Sequence, residues 1–329
     1  MSGIYCGDAK QVLQGMASEI ADMCVTSPPY YGLRDYGEQG QIGIEKSPEE
    51  YIARLLEIFR EVRRVVKGDG TLWLNIGDCY AGSGKGPMGK ALAGEGKNSR
   101  LYQKDSRVYE VPKTWAGIKP KDMLGIPWAL AFALRADGWY LRSDIIWHKT
   151  SCLPENVKDR PTKSYEHIFL LSKSRKYYYD YQAIQEPIKA VSRERYKYGR
   201  SANSKYVGQQ GITRVRKDFS DFDQQYKRKR DVWEVSTNSY RMDEHYAMYP
   251  ERLIEPCIKA GSRIGGIVLD PFFGSGAVAK RLGREYIGID LNGRYCEKAR
   301  QRIEGVKQEI KTDIGGKAAV GNQGEIEAG

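Results

Sequence analysis

The sequence lacks the features that mark secreted, membrane-spanning and metal-binding proteins. Its six cysteines include no Cys-x-x-Cys pair and its three histidines stand far apart, so neither a disulfide framework nor a zinc site is predicted. The longest apolar stretch, 126–134, falls far short of the roughly 20 residues that span a membrane. The first residues show neither the basic segment nor the apolar core of a signal peptide. We therefore expect a soluble, cytoplasmic protein without a metal site or a membrane partner.

The positive charge of the chain is concentrated in one segment. The 329 residues carry a formal net charge of +11, and residues 173–230, with sixteen Lys and Arg against six Asp and Glu, carry +10 of it. Eight tyrosines are interleaved with these charges, at positions 177, 178, 179, 181, 196, 198, 206 and 226. A solvated surface would explain the charges alone, but basic residues mixed with aromatic rings favour contacts to phosphates and stacked bases. The segment is therefore predicted to recognise nucleic acid.

A rigid loop is predicted at Thr26 to Tyr30, which reads Thr-Ser-Pro-Pro-Tyr. The apolar run 23–25 before it is typical of a buried strand, and two successive prolines end that strand because they fix φ and lack N–H donors. Carbonyl oxygens, the Ser27 hydroxyl and a tyrosine ring remain to face a ligand. The carboxyl ends of strands are where open α/β sheets bind ligands. We expect this loop to accept hydrogen bonds from a flat ring that carries an amino group.

Strands and helices alternate around this loop. Strands are predicted at residues 4–6, 23–25, 71–76, 140–147 and 167–171, and those at 23–25 and 71–76 are predicted to be buried. A capping box at 47–50 starts a helix that ends at Gly68, so strand, helix and strand follow one another. This order predicts a largely parallel α/β sheet. The short link between the last two strands predicts an antiparallel hairpin at one edge of the sheet.

Residues 81–120 show almost no apolar periodicity and are predicted to form a long mobile loop. The run from Gly84 to Lys90 matches the beginning of a phosphate-binding loop. However, Ala91 stands where a hydroxyl must reach Mg²⁺, and Pro87 lies inside the loop, so a nucleoside-triphosphatase site is not predicted. A loop that becomes ordered over a substrate would use the same residues.

A second ligand site is predicted near the end of the chain. A strand at 264–269 leads into a turn and then a helix, and the turn comprises Asp270, Pro271, Phe272, Phe273, Gly274, Ser275 and Gly276. Glycines in such a turn let a ligand approach the backbone, and the helix N-terminus offers free N–H groups. Asp290 follows at the end of the next strand, where a carboxylate can accept hydrogen bonds from ribose hydroxyls. No third glycine has the dinucleotide spacing, so we expect a nucleoside with a non-phosphate appendage.

These motifs together resemble the amino-group DNA methyltransferases, which use S-adenosyl-L-methionine. The family's (Asp/Asn/Ser)-Pro-Pro-(Tyr/Phe) motif is similar to Ser27-Pro28-Pro29-Tyr30, and its cofactor motif is similar to Asp270 to Gly276. Further stretches that resemble family motifs are Gly7-Asp8, 144–149 and 245–250. A catalytic motif first, a recognition region in the middle and a cofactor motif last is similar to the family's β-type motif order.

The resemblance implies a Rossmann-like methyltransferase fold, in which a doubly wound, mostly parallel seven-stranded sheet has an antiparallel edge hairpin and an inserted DNA-recognition region. It implies a catalytic half at 1–172, which includes the mobile loop 81–120 predicted above, a basic tyrosine-rich recognition region at 173–232 and a cofactor-binding half at 233–308. The Gly- and Glu-containing sequence after the last helix predicts a disordered tail at 309–329. The resemblance also implies that Ser27, Pro28, Pro29 and Tyr30 are catalytic. Cofactor contacts are implied at Asp8 for the adenine, at Asp270 to Gly276 for the methionine side and at Asp290 for the ribose.

The implied reaction is methyl transfer to the exocyclic amine of a base flipped out of double-stranded DNA. Serine in the first motif position resembles the members that modify cytosine N4, although some Ser-Pro-Pro-Tyr members modify adenine N6. We expect cytosine N4 and keep adenine N6 as the alternative. Cytosine C5 methylation would need a thiolate, and the only Pro-Cys pair, Pro256-Cys257, lies in an apparent amphipathic helix that favours core packing.

Two other function classes remain as alternatives. A methyltransferase acting on RNA or on a protein glutamine could use a Pro-Pro-Tyr loop, but the basic, tyrosine-rich segment would then have no clear purpose. A non-enzymatic nucleic-acid-binding protein would leave both ligand loops unexplained. The sequence leaves open whether the protein forms a homodimer and whether it has a cognate restriction endonuclease.

Overall fold

The computed structural model describes residues 2–33, 36–82, 117–152, 154–192, 225–237 and 249–306. Several sequence predictions lie outside these ranges. They are the match to a phosphate-binding loop at 84–90, nearly all of the loop 81–120, the middle of the basic segment and the tail at 309–329.

The described chain alternates between strands and helices, as predicted. Its first half contains β1 (Gly3–Cys6), α1 (Ala9–Gln14), β2 (Ala21–Thr26), α2 (Pro48–Val65), β3 (Val66–Ile76), α3 (Ile126–Ala136), β4 (Tyr140–Lys149) and β5 (Tyr165–Ser172). Its second half contains β6 (Glu186–Pro187), β7 (Tyr226–Lys227), β8 (Val232–Val235), α4 (Glu251–Gly261), β9 (Ile267–Asp270), α5 (Gly276–Arg281), β10 (Glu285–Asp290) and α6 (Gly293–Glu304). Ser47 begins α2 as its N-cap, since its hydroxyl accepts a hydrogen bond from the Glu50 N–H.

The main sheet has the strand order β1-β10-β9-β2-β3-β5-β4-β8. Only β5 runs antiparallel to its neighbours, and buried residues of the helices lie in the cores on the two faces of the sheet. The predicted doubly wound, mostly parallel α/β fold is therefore confirmed.

The sheet differs from the prediction in its strand count and in the position of its hairpin. It has eight strands rather than seven, because β8 pairs with β4 and covers the edge where the β4–β5 hairpin was expected to end the sheet. The indole of Trp233 on β8 is buried in the same core as Trp147 on β4, and this burial stabilises the additional strand. The hairpin consequently lies inside the sheet.

The carboxyl ends of the parallel strands meet at one edge of the sheet. Thr26, Asp270 and Asp290 end β2, β9 and β10, so the two predicted ligand loops, although some 240 residues apart in the chain, lie on neighbouring strands. Because β5 is antiparallel, its first residues, Tyr165 and Glu166, lie at the same edge. Side chains from both halves of the chain therefore converge there.

The first part of the basic segment lies at the opposite edge. The Tyr178 N–H donates to the carbonyl of Asp69, near the beginning of β3, and the Tyr179 ring stacks on Trp73 at 6.2 Å between centroids. Gly70 and Asn75 are five residues apart on β3, so the two edges are separated by about 16 Å.

Five of the segment's tyrosines lie in the described ranges, and four of these have ring contacts within the protein. Arg142, Arg263 and Arg228 lie over the rings of Tyr177, Tyr178 and Tyr181 respectively, and Tyr179 is the ring stacked on Trp73. These contacts give Tyr177, Tyr178, Tyr179 and Tyr181 packing roles within the protein. Base stacking stays a prediction: Tyr179, Tyr181 and Tyr226 are exposed, and the three tyrosines at 196, 198 and 206 lie outside the described ranges.

Two glycines make room for the Phe273 ring behind the cofactor turn. A Cβ atom added at Gly276 would lie 2.4 Å from Phe273, and one added at Gly288 would lie 1.9 Å from it. By contrast, a Cβ added at Gly274 would lie 3.5 Å from Tyr249, an ordinary contact distance. Gly276 therefore serves close packing of the turn.

We expect Gly288→Ala to destabilise the protein by about 1–3 kcal/mol, because the new methyl group displaces the Phe273 ring from its position against β10. Urea unfolding followed by circular dichroism measures this loss. Gly274→Ala is the matched control and should cost less than about 1 kcal/mol. Equal losses in the two variants would refute the close-packing explanation.

Candidate active site

A cavity of about 520 Å³ opens at the carboxyl edge of the sheet. Ten of the predicted site residues line it: Asp8, Ser27, Pro28, Pro29, Tyr30, Pro271, Phe272, Phe273, Gly274 and Asp290. Asp270, Ser275 and Gly276 are buried directly behind this lining. The structure thus brings the two predicted ligand loops together around one space.

The Ser27 to Tyr30 loop presents hydrogen-bond acceptors to this cavity. The Pro29 carbonyl accepts a hydrogen bond from the Tyr51 hydroxyl at 2.8 Å, which ties the loop to α2. The Pro28 carbonyl accepts none from the described residues. The Ser27 hydroxyl makes only a long contact, 3.3 Å, with the Tyr30 hydroxyl. Two oxygens are therefore able to accept hydrogens from a ligand, as the sequence predicts.

Polar side chains that the sequence analysis did not select surround the Tyr30 hydroxyl. This hydroxyl donates to Glu166 at 2.6 Å, and the Asn75 amide donates to the same carboxylate at 3.2 Å. The Lys149 ammonium forms an ion pair with the other oxygen of Glu166. Burial, reinforced by the Glu166 carboxylate, raises the pKa of Tyr30 well above its usual value, so the phenol stays neutral and donates.

One sequence signal could have drawn attention to Glu166. It is the acidic residue in an otherwise apolar strand, Tyr-Glu-His-Ile-Phe-Leu-Leu-Ser, and buried carboxylates are rare unless they are paired. Its partner Lys149 lies seventeen positions earlier, on β4. Only the antiparallel register, which sets Trp147 opposite Glu166, brings the two strands' polar ends together.

On the cofactor side, the Asp270 carboxylate is an internal anchor. It accepts hydrogen bonds from the hydroxyls of Thr26 at 2.5 Å and Tyr249 at 3.0 Å. It also accepts hydrogen bonds from three backbone N–H groups of the turn, those of Phe272, Gly274 and Ser275. Five donors thus converge on one fully buried carboxylate, which fixes the shape of the turn and joins it to the end of β2.

Asp290 has spare acceptor capacity in the cavity. Its Oδ1 accepts a hydrogen bond from the Asn292 N–H at 2.8 Å, and the described residues supply no donor to its Oδ2. Burial, opposed in part by that hydrogen bond, raises the pKa of Asp290 to about 6. A desolvated carboxylate with a free oxygen fits a ligand that offers hydroxyl donors, as a ribose does.

Two further groups complete this side of the cavity. Asp8 is the N-cap of α1, where its carboxylate accepts from the Gln11 N–H at 3.0 Å. Glu38, in the loop between β2 and α2, accepts a hydrogen bond from the Asn292 amide at 2.8 Å. This second contact, which the sequence analysis did not anticipate, links the loop after the Ser-Pro-Pro-Tyr motif to the end of β10.

The described residues contain no group of three or more His, Cys, Asp and Glu side chains that could hold a metal ion. Within the same ranges, no helix is long and apolar enough to cross a membrane.

Comparisons with known proteins agree with this geometry. The model of the N6/N4 methyltransferase family, described as DNA methylase, matches residues 21–301. Type II methyltransferase M.SmaI of Serratia marcescens is 46% identical over 303 residues, which cover 91% of this chain and 90% of the relative. Type II methyltransferase M.Cfr9I of Citrobacter freundii is 43% identical over 306 residues, which cover 92% of this chain and 87% of the relative.

Solved structures share the fold at low sequence identity. PvuII DNA methyltransferase (cytosine-N4-specific) superimposes with a TM-score of 0.58 at 16% identity, covering 92% of this chain and 86% of that one. A putative DNA modification methylase from Thermus thermophilus, complexed with S-adenosyl-L-methionine, gives 0.53 at 21% identity, covering 92% and 93%. With the family model matched over most of its length, the chain belongs to the N6/N4 family of DNA methylases.

Proposed function

We propose that this DNA methyltransferase transfers a methyl group from S-adenosyl-L-methionine to N4 of a cytosine flipped out of duplex DNA. One observation carries the proposal. The free oxygens of Ser27 and Pro28 and the turn anchored by Asp270 face one cavity. An amine acceptor site and a nucleoside site therefore lie side by side.

The acceptor loop makes the target amine reactive. The lone pair of an exocyclic amine is delocalised into the base ring, which makes the nitrogen a weak nucleophile. Ser27 Oγ and the Pro28 carbonyl can each accept one amine hydrogen, so the nitrogen becomes pyramidal and its lone pair points away from the ring. When bound, the cofactor would supply a sulfonium methyl group. The N–C bond would form as the S–C bond breaks, with S-adenosyl-homocysteine as the leaving group, and the methylated amine would then release one proton to water. Holding the amine in line with that methyl group replaces a bimolecular encounter, and no covalent enzyme intermediate is needed.

The residues of the cofactor side fit a nucleoside with a methionine appendage. Asp290 offers its free oxygen to the ribose hydroxyls, and Asp8 faces the same part of the cavity, where we propose that it contacts the adenine. Gly274 is the glycine of the turn that lines the cavity. Asp270 and Gly276 contribute by holding the turn in shape.

The state of two buried cysteines, Cys24 and Cys257, does not favour methylation at a ring carbon. The Cys257 thiol is fully buried, its hydrogen bonds to the Leu253 carbonyl, and burial raises its pKa far above neutrality. The buried Cys24 thiol also has a raised pKa, because of burial and then the Asp270 carboxylate. Neither supplies the thiolate that attack at cytosine C5 requires.

Cytosine N4 is favoured over adenine N6 by the serine at the first position of the catalytic motif. One structure with the same fold is that of a cytosine-N4-specific enzyme, which is compatible with this choice. Adenine N6 methylation is the second candidate, because both bases present an exocyclic amine that the same two acceptors would bind. A non-enzymatic binding protein and a protein or RNA methyltransferase fit less well with the family membership.

We further propose that residues 1–172 and 233–308 form the two halves of the catalytic domain and that DNA recognition lies within 173–232. The Type II names of the relatives are compatible with a role in restriction and modification. The segment begins at the edge opposite the cavity, and the chain that follows it runs along β8 to Thr237, which lines the cavity. The residues directly after the recognition region therefore lie next to the catalytic loop.

Cofactor binding is expected to weaken in acid because of Asp290. Its carboxyl becomes protonated below its pKa of about 6, and a protonated oxygen loses an acceptor for the ribose hydroxyls. The dissociation constant of S-adenosyl-homocysteine should therefore rise about tenfold between about pH 7 and pH 5, as measured by calorimetry. Asp290→Asn should bind weakly at both pH values, with a flat profile. The same steep profile in that variant would exclude Asp290 as the titrating group.

The effect of this carboxyl on folding has the opposite sign. Its pKa is raised in the folded protein, from 3.8 to about 6, so the folded state holds the proton more tightly than the unfolded state. Its contribution to stability is therefore fully present below about pH 4 and is lost as the pH rises through about 6. A loss of cofactor affinity in acid thus cannot be attributed to this group unfolding the protein.

The substrate class is tested by transfer of a labelled methyl group. Wild-type protein is incubated at low salt with labelled S-adenosyl-L-methionine and with duplex DNA of mixed sequence, RNA or unrelated protein. We expect label in duplex DNA alone. Label in RNA or protein, with none in DNA, would overturn the proposal.

A further inference from the structure

We propose that Lys149 is the hydrogen-bond donor that reads the ring nitrogen beside the target amine, and that Glu166 is the positioning residue that holds it. The inference rests on the proposed amine methylation. Lys149 would add a hydrogen-bond donor to the two acceptors of the catalytic loop. The part of the base that the site recognises would then be an amidine edge, which is an amine next to an acceptor nitrogen.

Lys149 lies at the base side of the cavity with its ammonium restrained. Both Lys149 and Glu166 line the cavity, and their side chains are only 22% and 11% exposed. The ammonium forms its ion pair with Glu166 and lies 4.9 Å from the centre of the Trp147 ring. An ammonium group has three N–H donors, and Glu166 is the only acceptor that the described residues give to Nζ. Donor capacity therefore remains for a ligand.

The other donors near the catalytic loop are already engaged. The Tyr30 hydroxyl donates to Glu166, and the Asn75 amide donates to Glu166 and to the His167 carbonyl. The Thr237 hydroxyl donates to the Ser151 carbonyl. Lys149 is thus the donor on this side of the cavity with unused capacity among the described residues.

The target base needs such a donor. In cytosine the amine is next to N3, and in adenine it is next to N1, and both of these nitrogens are acceptors. Ser27 and Pro28 offer only acceptors to the amine, so without a donor the ring nitrogen would enter the cavity unpaired, which is unfavourable. A site that pairs both groups rejects a base that lacks either one, and a charged donor makes this discrimination strong.

Glu166 keeps the ammonium in place. Its carboxylate contacts Lys149 on one oxygen and Tyr30 and Asn75 on the other, so one residue joins the donor to the catalytic loop. The contact between Ser27 and Tyr30 extends this network to the amine acceptor. Glu166 therefore connects Ser27, which accepts from the amine, to Lys149, which donates to the ring nitrogen.

The test is a double-mutant cycle between Lys149 and the ring nitrogen. Wild type and Lys149→Met are assayed on a duplex with the mapped target cytosine and on one carrying 3-deazacytosine, in which C–H replaces N3. We expect Lys149→Met to lower kcat/KM about 10-fold or more on cytosine and less than about 2-fold on the analogue. Affinity for S-adenosyl-homocysteine should be unchanged, which shows that the cofactor side remains folded.

Equal losses on the two substrates would overturn the inference, because they would show that Lys149 acts without regard to the ring nitrogen. Glu166→Gln provides a second variant, since it keeps neutral hydrogen bonds to Tyr30 and Asn75 but removes the ion pair. It should reduce the discrimination between the two substrates, and unchanged discrimination would exclude Glu166 as the positioning residue. Lys259→Met removes an ion pair with Glu255 on α4 and serves as the matched control with no expected effect.

The role of Lys149 and the proposed choice of base can fail independently of each other. If the wild-type product is N6-methyladenine, the choice of cytosine fails, and the same cycle is run with 1-deazaadenine. If the product is N4-methylcytosine and the cycle shows no coupling, the function stands and the role of Lys149 fails.

Discussion

Asp270→Ala is expected to abolish methyl transfer, with a loss of at least about 1,000-fold, and to destabilise the protein by about 3 kcal/mol or more. The carboxylate accepts from five donors, three of them backbone N–H groups of the turn that faces the cofactor side of the cavity. Without it, buried donors lose their partner and the turn loses its shape. Calorimetric titration with S-adenosyl-homocysteine and thermal unfolding measure the two effects.

Asp22→Ala is the control that distinguishes a loss of cofactor binding from a general loss of stability. Asp22 is a buried carboxylate at the opposite end of the same strands, where it pairs with Lys67 and accepts from the Ile267 N–H. Its loss should also lower the melting temperature, but cofactor affinity should be retained below that temperature. Retained affinity in Asp270→Ala would contradict the role assigned to the turn.

Ser27→Ala is expected to lower kcat by about 100- to 1,000-fold while cofactor affinity stays within about 2-fold of wild type. Among the described residues the hydroxyl has only a 3.3 Å contact, to Tyr30, so its removal leaves no buried group there unpaired and the fold should be preserved. What is lost is one of the two acceptors that localise the lone pair of the amine. Single-turnover rates of labelled methyl transfer measure the effect on the chemical step.

Ser174→Ala is the matched control for this variant. The Ser174 hydroxyl donates to the Gly68 carbonyl at the edge opposite the cavity, so its removal should leave kcat unchanged. A Ser27→Ala enzyme with wild-type single-turnover rates would mean that the amine is held by other groups.

Both ligand loops were predictable because local chemistry determines them. Pro28 and Pro29 prevent β2 from continuing, whatever position the strand has in the sheet. The glycines between Asp270 and Gly276 mark a strand-to-helix turn from the local sequence alone. The rule that ligands bind at strand carboxyl ends then placed both loops at one edge. The assignment of Asp290 to a strand end was correct for the same reason.

The remaining features depend on contacts between distant segments. The Glu166–Lys149 pair forms only once β4 and β5 adopt their register, and β8 joins the sheet because Trp233 is buried beside Trp147. Neither pairing can be read from the local sequence, although the acidic Glu166 in a mostly apolar strand is itself a signal. The same holds for the arginines that lie over the rings of Tyr177, Tyr178 and Tyr181, because two of them, Arg142 and Arg263, come from outside the basic segment.

The most direct test of the central claim is the identity of the methylated nucleoside. DNA treated with wild-type protein and labelled S-adenosyl-L-methionine is digested to nucleosides, which are separated and identified by mass and by comparison with standards. We predict N4-methylcytosine as the labelled product, and its near absence after treatment with Ser27→Ala. N6-methyladenine would correct the base while preserving amine methylation, whereas 5-methylcytosine, or no labelled nucleoside, would contradict the account.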